Sequence, residues 1–387
     1  MPGVADGPPD LAITSMQATI KGEFRMCAME CREAQPGRHL GIAGLAFLNA
    51  VTAVSVMMGA ALLSAPAFAQ STAWTHQPAE WEKIVAGARK EGFVRFYSLQ
   101  VQPSVDRTVA GFKKAHPGIG VEVLRGAGGV VNPRVDMEMA TGADGGDVLV
   151  TTEVGWLNAR SREGRFLNPA GPSTRNWPAA LVGEGGRFPI VGYELFVIPY
   201  NKAQVKSAPQ GYADLLRPEF KGKLGTPEST SASLAAWYEW LEKTQGSDFL
   251  ARLRAQNPKL FVGSAPLSQA IASGELAAGL FSVGSTIKPI MENGAPVDFV
   301  VPNPSFAATY GVAAFSWARR PNAALLFVDY VMSIDGQTAW HGKGDSASSL
   351  KGIQGSMQAT TLSPYNPEAY PAETVKKYNE RWDRIFR

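Results

Sequence analysis

From Trp74 onward, apolar positions along the chain switch between two spacings. Between Glu80 and Glu91, Trp81, Ile84, Val85 and Ala88 recur every three or four residues on one helical face, and Gly92 ends the run. Phe93-Val94-Arg95-Phe96-Tyr97 is then apolar enough to read as a short buried strand. A second helix spans Ser104 to Ala115, with Val105, Val109 and Phe112 inward and His116-Pro117-Gly118 as its stop. The strand Val121-Glu122-Val123-Leu124 follows, then a turn rich in glycine (Gly126, Gly128, Gly129), a helix around Pro133 to Ala140, and the strand Asp147-Val148-Leu149-Val150. Strands separated by helices of this length predict a parallel sheet wound on both faces.

A second lobe is predicted beyond the β-rich run from Tyr193 to Asn201. Thr226-Pro227-Glu228-Ser229-Thr230-Ser231 opens an amphipathic helix through Trp240, and Trp237, Tyr238 and Trp240 are best explained as that helix's core face. A helix from Asp248 to Gln256, another from Leu267 to Ser273 and a strand from Leu276 to Phe281 follow. The run Val297 to Pro302 returns the chain before a last strand, Tyr310 to Phe315. Two extended crossovers between two α/β lobes describe a hinged clamshell, with hinge strands at 193–201 and 298–302. The expected division is residues 1–69 as a removable leader, 70–195 and 302–345 as one lobe, 196–301 as the other, and 346–387 packing on both.

The leader is expected because a 30-residue apolar, small-residue stretch from Leu40 to Ala69 follows Arg32, Arg38 and His39 and closes on Ala67-Phe68-Ala69. The stretch is also long enough to span a bilayer, so an uncleaved anchor is the competing reading. The segment ahead of Arg38 is unusually long for a leader, and Met26 or Met29 would serve as an alternative start. Both cysteines, Cys27 and Cys31, precede the stretch, which leaves an exported product without thiols. No cysteine follows it where a lipid anchor would attach, so export to the periplasm in soluble form is expected.

Of the 37 basic and 34 acidic residues, the leader removes four and five, leaving 33 and 29 in the 318-residue remainder. An excess of four positive charges is too small to argue for nucleic acid. No Gly-x-Ser-x-Gly elbow is present, and Gly336 to Lys343 misses the phosphate-loop spacing by one residue. His76, His116 and His341 are not spaced as zinc ligands, and His116 reads as a helix-end residue. Paired carboxylates occur throughout a chain of this length, so Glu153, Glu194 and Glu228 are only weak candidates for acid and base chemistry.

The more informative signal is at the strand ends, since ligands of open α/β sheets bind beyond the carboxyl ends of their strands. Ser98-Leu99-Gln100, Arg125-Gly126 and Thr151-Thr152-Glu153 follow three successive strands. Taken singly, each hydroxyl there also serves as a helix cap; three polar ends in succession point to a site.

Seven segments in order resemble the exported solute-binding proteins of ABC importers. They are Trp81 with Ala88-Arg89-Lys90-Glu91-Gly92 ahead of Tyr97-Ser98; Asp147-Val148; Tyr200-Asn201; Asp214-Leu215-Leu216 through Lys221-Gly222-Lys223; Ser273-Gly274-Glu275-Leu276; Pro321-Asn322-Ala323-Ala324 with Phe327; and Asp335-Gly336-Gln337. The resemblance spans nearly all of residues 74–345. It is closest to the branch that includes binders of ferric iron, putrescine, thiamine, phosphonates and sugar phosphates. It implies a two-lobed periplasmic-binding clamshell in which each lobe is a doubly wound sheet. It also implies a solute held in the cleft and a membrane permease as partner. Iron-binding relatives place adjacent tyrosines after the strand that follows the Gly-Glu element. Here that segment is Phe281-Ser282-Val283-Gly284-Ser285-Thr286, whose neutral hydroxyls cannot replace two phenolates.

Hydroxyls, backbone N–H groups and an arginine suit a small organic anion, a carboxylate or phosphate ester. The expected ligand-binding set is Ser98, Leu99, Gln100, Arg125, Thr151, Thr152, Glu153, Tyr193, Ser229, Thr230, Ser264, Ser282, Ser285 and Tyr310. No catalytic residue, cofactor or metal is expected, and the chain is expected to act as a monomer. The alternatives are a ferric-iron or polyamine binder of the same fold, a cleft enzyme on a two-lobed scaffold, and a sensor subunit that presents its ligand to a membrane kinase. Peptide mass analysis of the exported protein is expected to find a first residue at Gln70; recovery of Cys27 or Cys31 in that fraction would overturn the leader.

Overall fold

The computed structural model describes residues 74–387. The expected leader, its cleavage point and both cysteines lie outside the described residues. The first part of the chain folds as α1 (Pro78–Glu91), β1 (Phe93–Ser98), α2 (Gln102–Ala115), β2 (Gly120–Arg125), α3 (Gly128–Thr141), β3 (Val148–Thr151) and α4 (Val154–Arg162). Next come β4 (Ile190–Asn201), β5 (Leu224–Pro227), α5 (Ala232–Gln245), α6 (Phe249–Ala255), β6 (Lys259–Phe261), α7 (Ser264–Ala272), β7 (Ala278–Gly279), β8 (Ser282–Val283), α8 (Gly284–Glu292) and β9 (Val297–Val300). The chain closes with β10 (Ser305–Ala314), α9 (Pro321–Met332), α10 (Ile334–His341), β11 (Ala347–Ser348), β12 (Leu362–Pro364) and α11 (Ala372–Phe386).

Local rules set the early boundaries. Helix α1 carries Pro78 in its first turn, where no N–H is needed, and ends on Gly92 at φ 78°, a left-handed cap that favours glycine. Helix α3 starts at Gly128, inside the stretch expected to be a turn. A Cβ on Gly128 would come within 2.8 Å of Glu153 Cγ, so the close approach of α3 to the end of β3 requires the missing side chain.

In the first lobe β2, β1 and β3 are parallel, as the sequence predicts, but β10 joins β3 and β4 in antiparallel register, so the sheet is mixed. The antiparallel strands arise because β4 leaves for the second lobe and β10 returns from it. Alternate strand residues face opposite ways. Val94, Phe96, Val148, Val150 and Val312 pack with α1, α2, α9 and α10 through Ala88, Val105, Phe112, Phe327 and Trp340. Tyr97, Leu149, Ala313 and Phe315 pack with α3 and α4 through Val131, Val135, Val154 and Leu157. The lobe is therefore a sheet covered on both faces, the doubly wound arrangement.

The second lobe is built on parallel β6, β5 and β7, with β7 against the far half of β4. Its core gathers Trp237, Tyr238, Leu241, Phe249, Leu253, Leu267, Ile271 and Ile287, so Trp237 and Tyr238 are core side chains. The strand expected from Leu276 to Phe281 is split. Gly279 still pairs with β5, but Ser282 and Val283 swing over to pair with Val197 and Phe196 of β4. After β10 the chain touches both lobes again: β11 and β12 add to β4 and β10, and α11 seats Tyr378, Trp382 and Phe386 in the second core. Among the described residues, no helix is long and apolar enough to cross a membrane.

One ion pair fixes the start of β3. Arg320, at the entry to α9, donates from Nε to Asp147 Oδ2 at 2.6 Å and from Nη2 to Asp144 Oδ1 at 2.6 Å. Asp147 is fully buried, and burial lifts its carboxyl above the usual range despite these bonds. Replacing one member of a buried pair leaves the other charge without compensation, a loss of about 3–5 kcal/mol. Arg320→Ala is expected to lose that much stability in urea unfolding, whereas Arg320→Met with Asp147→Asn is expected to regain a substantial part; an equal loss in both would contradict a role for uncompensated charge.

Candidate functional site

Strand register brings the predicted loops together. Ser98 pairs with Arg125 on one side and Val150 on the other, so β1, β2 and β3 end abreast, and Thr151 lies against Gly311 of β10. The buried Ser98 hydroxyl donates to Gln100 Oε1 and accepts from Gln100 N, each at 3.1 Å, tightening the turn into α2. Gln100 is itself buried, and its Nε2 has no partner. Arg125 is exposed and donates from Nε to the Gln100 carbonyl at 2.5 Å. Leu99 packs against the α3–α4 side of the sheet. Thr151 Oγ1 accepts from Glu153 N at 3.0 Å, a turn contact just ahead of α4, while Thr152 is half-buried and Glu153 exposed.

The predicted hydroxyls of the second lobe are largely engaged with protein partners. Ser229 donates to Asn379 Oδ1 of α11 at 2.7 Å, Ser282 pairs with Ser268 at 2.8 Å, and Ser264 pairs with Thr286 at 3.2 Å. Thr230 is exposed, and Ser231 beside it caps α5 by accepting from Leu234 N at 3.2 Å. The capping reading thus accounts for the start of α5.

A different convergence occurs where the lobes join. Glu194, on β4, accepts from Tyr310 of β10 at 2.5 Å and from Ser285 of α8 at 3.2 Å. One carboxyl is thereby bonded to both lobes. It is almost fully buried, and burial, with the Asp345 charge adding to it, pushes its pKa up to about 7. Tyr310 is raised well above the ordinary phenol value by burial and then by Glu194. Tyr193, the neighbouring residue on β4, is half-buried, and its phenol is raised by desolvation. His341 donates from Nε2 to the Val191 carbonyl at 3.0 Å, and burial pushes its pKa down to about 3, so the neutral ring accepts at Nδ1 from the Ser346 hydroxyl at 2.7 Å.

Beside this junction is a cavity of about 70 Å³ with walls from both lobes: Arg107 of α2, Ser285, Lys288 and Glu292 of α8, and Lys343 and Asp345 of the loop after α10. Arg107 Nη2 holds Asp345 Oδ2 at 2.5 Å and the Trp340 carbonyl at 3.0 Å. Of the predicted residues Ser285 lines this cavity. Arg107, Lys288, Lys343 and Asp345 carry no motif, and in sequence they are indistinguishable from solvated surface charges. A larger cavity of about 460 Å³ near Trp177, Met332 and Asp335 has no basic residue in its wall and lies in the first lobe. Among the described residues no cluster of three or more His, Cys, Asp or Glu side chains is placed to hold a metal ion.

Comparison with known proteins gives this geometry a family. Residues 96–344 match the model of the bacterial extracellular solute-binding protein family, and the chain belongs to that family. A Salmonella typhimurium protein named for 2-aminoethylphosphonate binding in the periplasm is 28% identical over 228 residues, covering 56% of this chain and 60% of the relative. An uncharacterised Haemophilus influenzae protein is 28% identical over 209 residues, 50% of this chain and 60% of that one. The chain thus spans 60% of the length of these curated relatives. Among solved structures, the substrate-binding protein of an ABC transporter from Agrobacterium tumefaciens superposes with a TM-score of 0.64 at 18% identity, covering 78% of this chain and 97% of that one. Iron-bound HitA from Pseudomonas aeruginosa gives 0.57 at 20% identity, covering 76% and 99%. AfuA from Actinobacillus pleuropneumoniae with fructose-6-phosphate gives 0.54 at 18% identity, covering 76% and 97%. These likenesses establish the two-lobed α/β fold.

Glu194 makes stability depend on pH with a definite sign. Between about pH 4.5 and 7 the folded chain retains a proton that the unfolded chain has lost, so stability is greatest below that window and falls as pH rises through it. The full change is about 3 kcal/mol at most. Glu194→Gln keeps the shape and removes the titration. Its urea midpoint is expected to be nearly flat between pH 5 and 8, where the parent loses stability, and an unchanged slope in the variant would assign the effect to another group.

Proposed function

We propose that this family member is the periplasmic substrate-binding component of an ABC importer. It traps a small organic anion, a carboxylate or phosphate ester, between its lobes and delivers it to a membrane permease without a catalytic step. The observation that carries the reading is the pairing of three polar strand ends in one lobe with a basic-walled cavity shared by both lobes, in a chain of this family. The relative named for 2-aminoethylphosphonate and the neighbour holding fructose-6-phosphate are consistent with an anionic, phosphoryl-bearing solute. Iron is the weaker reading, because 281–286 carries no phenol.

In this reading the solute lies beyond β1, β2 and β3, with Arg125 as its charged contact and Ser98, Gln100, Thr151, Thr152 and Tyr193 around it. Glu153, Thr230 and Ser285 border the same space, while Leu99 supplies apolar packing. The proposed lobes are residues 70–195 with 302–345, and 196–301, bridged by 346–387. Contacts from both lobes favour the closed form, so the measured affinity includes the free energy of closing.

A ligand that binds only the folded chain raises its apparent stability. In a thermal-shift screen of carboxylates, phosphate esters, phosphonates, polyamines, sugars and ferric salts, the acids are expected to stabilise the protein. A response to polyamines or iron alone would remove the anion assignment and leave the solute-binding role. Loss of a charge-assisted contact is expected to make Arg125→Ala bind the best acid roughly 30-fold more weakly. Small-angle scattering at saturation is expected to show a more compact particle, and identical profiles with binding verified would count against closure.

A further inference from the structure

The two lysines of the shared cavity pose an electrostatic problem that the protein itself does not solve. Lys288 projects from α8, whose Ile287 is buried in the second lobe's core. Its Nζ reaches the loop after α10, so close that a Cβ built on Gly344 would be 3.5 Å from it. Lys343 is the residue before Gly344, and both lysines line the cavity. Lys288 is half-buried and Lys343 exposed. Among the described residues neither is ion-paired, in contrast with Arg107, which is spent on Asp345 at 2.5 Å, Ser104 at 3.3 Å and the carbonyls of Ala339 and Trp340. Asp345 is thus ion-paired to Arg107 through one of its oxygens. The remaining acid, Glu292, is exposed one turn along α8 from Lys288 and makes no ion pair. Like charges from opposite lobes therefore line one small cavity with no ion-pair partner, and partial burial of Lys288 strengthens the repulsion between them.

We infer that this cavity is an oxyanion subsite whose occupant clasps the lobes. A carboxylate, phosphonate or phosphate headgroup between Lys288 and Lys343 accepts from both and turns a repulsion across the joint into an attraction. The inference rests on the solute-binding reading and adds to it a site distinct from Arg125. At about 70 Å³ the space suits a headgroup rather than a whole solute. Val101 forms part of its wall, and the preceding residue, Gln100, holds a buried amide Nε2 without a partner. A solute anchored by its acid group at the lysines can extend an acceptor toward that amide and on to the strand ends.

The test uses the exported chain with inorganic phosphate, methylphosphonate and acetate as probes, at ionic strength held constant with sodium chloride. Isothermal titration and small-angle scattering read affinity and compaction. At least one probe is expected to bind and compact the protein beyond the chloride control. Lys288→Gln with Lys343→Gln is expected to weaken that binding about tenfold or more, with Arg125→Ala affected less. Lys343→Glu, which places an acid opposite Lys288, is expected to compact the protein with no probe present. Normal probe binding by the double variant, or no compaction in Lys343→Glu, would overturn the subsite. If the double variant still binds a solute from the wider screen that Arg125→Ala has lost, the anion belongs at the strand ends and the solute-binding reading stands. If all three probes match chloride in the parent chain, the oxyanion subsite falls, and the broader reading depends on that screen alone.

Discussion

A strand that must serve two sheets is the constraint on which this molecule depends. Buried backbone groups need partners throughout, and β4 meets that need by changing them midway. Its first residues pair with β10 and β11, and from Phe196 onward it pairs with β8, β9 and β7. The change of partners is what makes one chain into two lobes without a break in hydrogen bonding. It also explains the mixed sheets, since the strands that leave and return run against the parallel strands that each lobe builds for itself. The junction is therefore continuous backbone, and Glu194 occupies the part of β4 where the first set of partners gives way to the second.

Charge is managed differently on the two sides of that junction. Away from it, buried charges are matched: Asp147 has Arg320, Glu138 has Arg134 with the Tyr97 hydroxyl, and Glu242 has Arg381 with the Tyr378 hydroxyl. At the junction matching is incomplete. Glu194 has only neutral donors and is pushed toward protonation, Asp345 keeps one buried oxygen without a partner, and Gln100 keeps an unpartnered amide. Unpartnered neutral side-chain atoms are spread through the fold, at Asn132, Gln256 and Trp317 for example, but the junction is where buried carboxylates lack a full set of partners. The lysines of the adjacent cavity belong to the same pattern.

Much of the architecture was legible because it follows from short-range rules. Apolar spacing identified α1, α2 and β1 to within a few residues, and the crowded aromatic run Trp237, Tyr238 and Trp240 was recognisable as a core face. What failed depends on tertiary approach. Gly128 reads as turn chemistry until Glu153 packs on it, and the Leu276 to Phe281 run reads as one strand until Ser282 is drawn to β4. The candidate site divides the same way. Ser98, Gln100, Arg125 and Thr151 could be proposed because they follow strands, a local fact. Lys288, Lys343 and Asp345 could not, since they are brought together from positions 55 and two residues apart by the fold alone. The partners of Ser229 and Ser282, Asn379 and Ser268, are likewise invisible in a linear chain.

Two crossovers would allow the lobes to bend and to twist, but the chain links them a third time. Pro367 packs on Gly155 of α4, and Glu368 bonds Asn158 and Arg162, all in the first lobe. Two residues beyond Glu368, the Tyr370 hydroxyl donates to Glu239 of α5, and α11 then enters the second core. The two ends of this strap differ in strength. The Glu368–Arg162 pair has both side chains about half exposed, at 49% and 47%, and such a pair contributes about 0–1 kcal/mol. Trp382 and Phe386, by contrast, are sealed in apolar contact, and freeing a side chain of that size would cost several kcal/mol. Motion between the lobes must therefore strip the strap from α4 rather than lift α11 from α5. It follows that α11 belongs mechanically with the second lobe, and that the exposed polar contacts on α4 are the end of the strap that yields first.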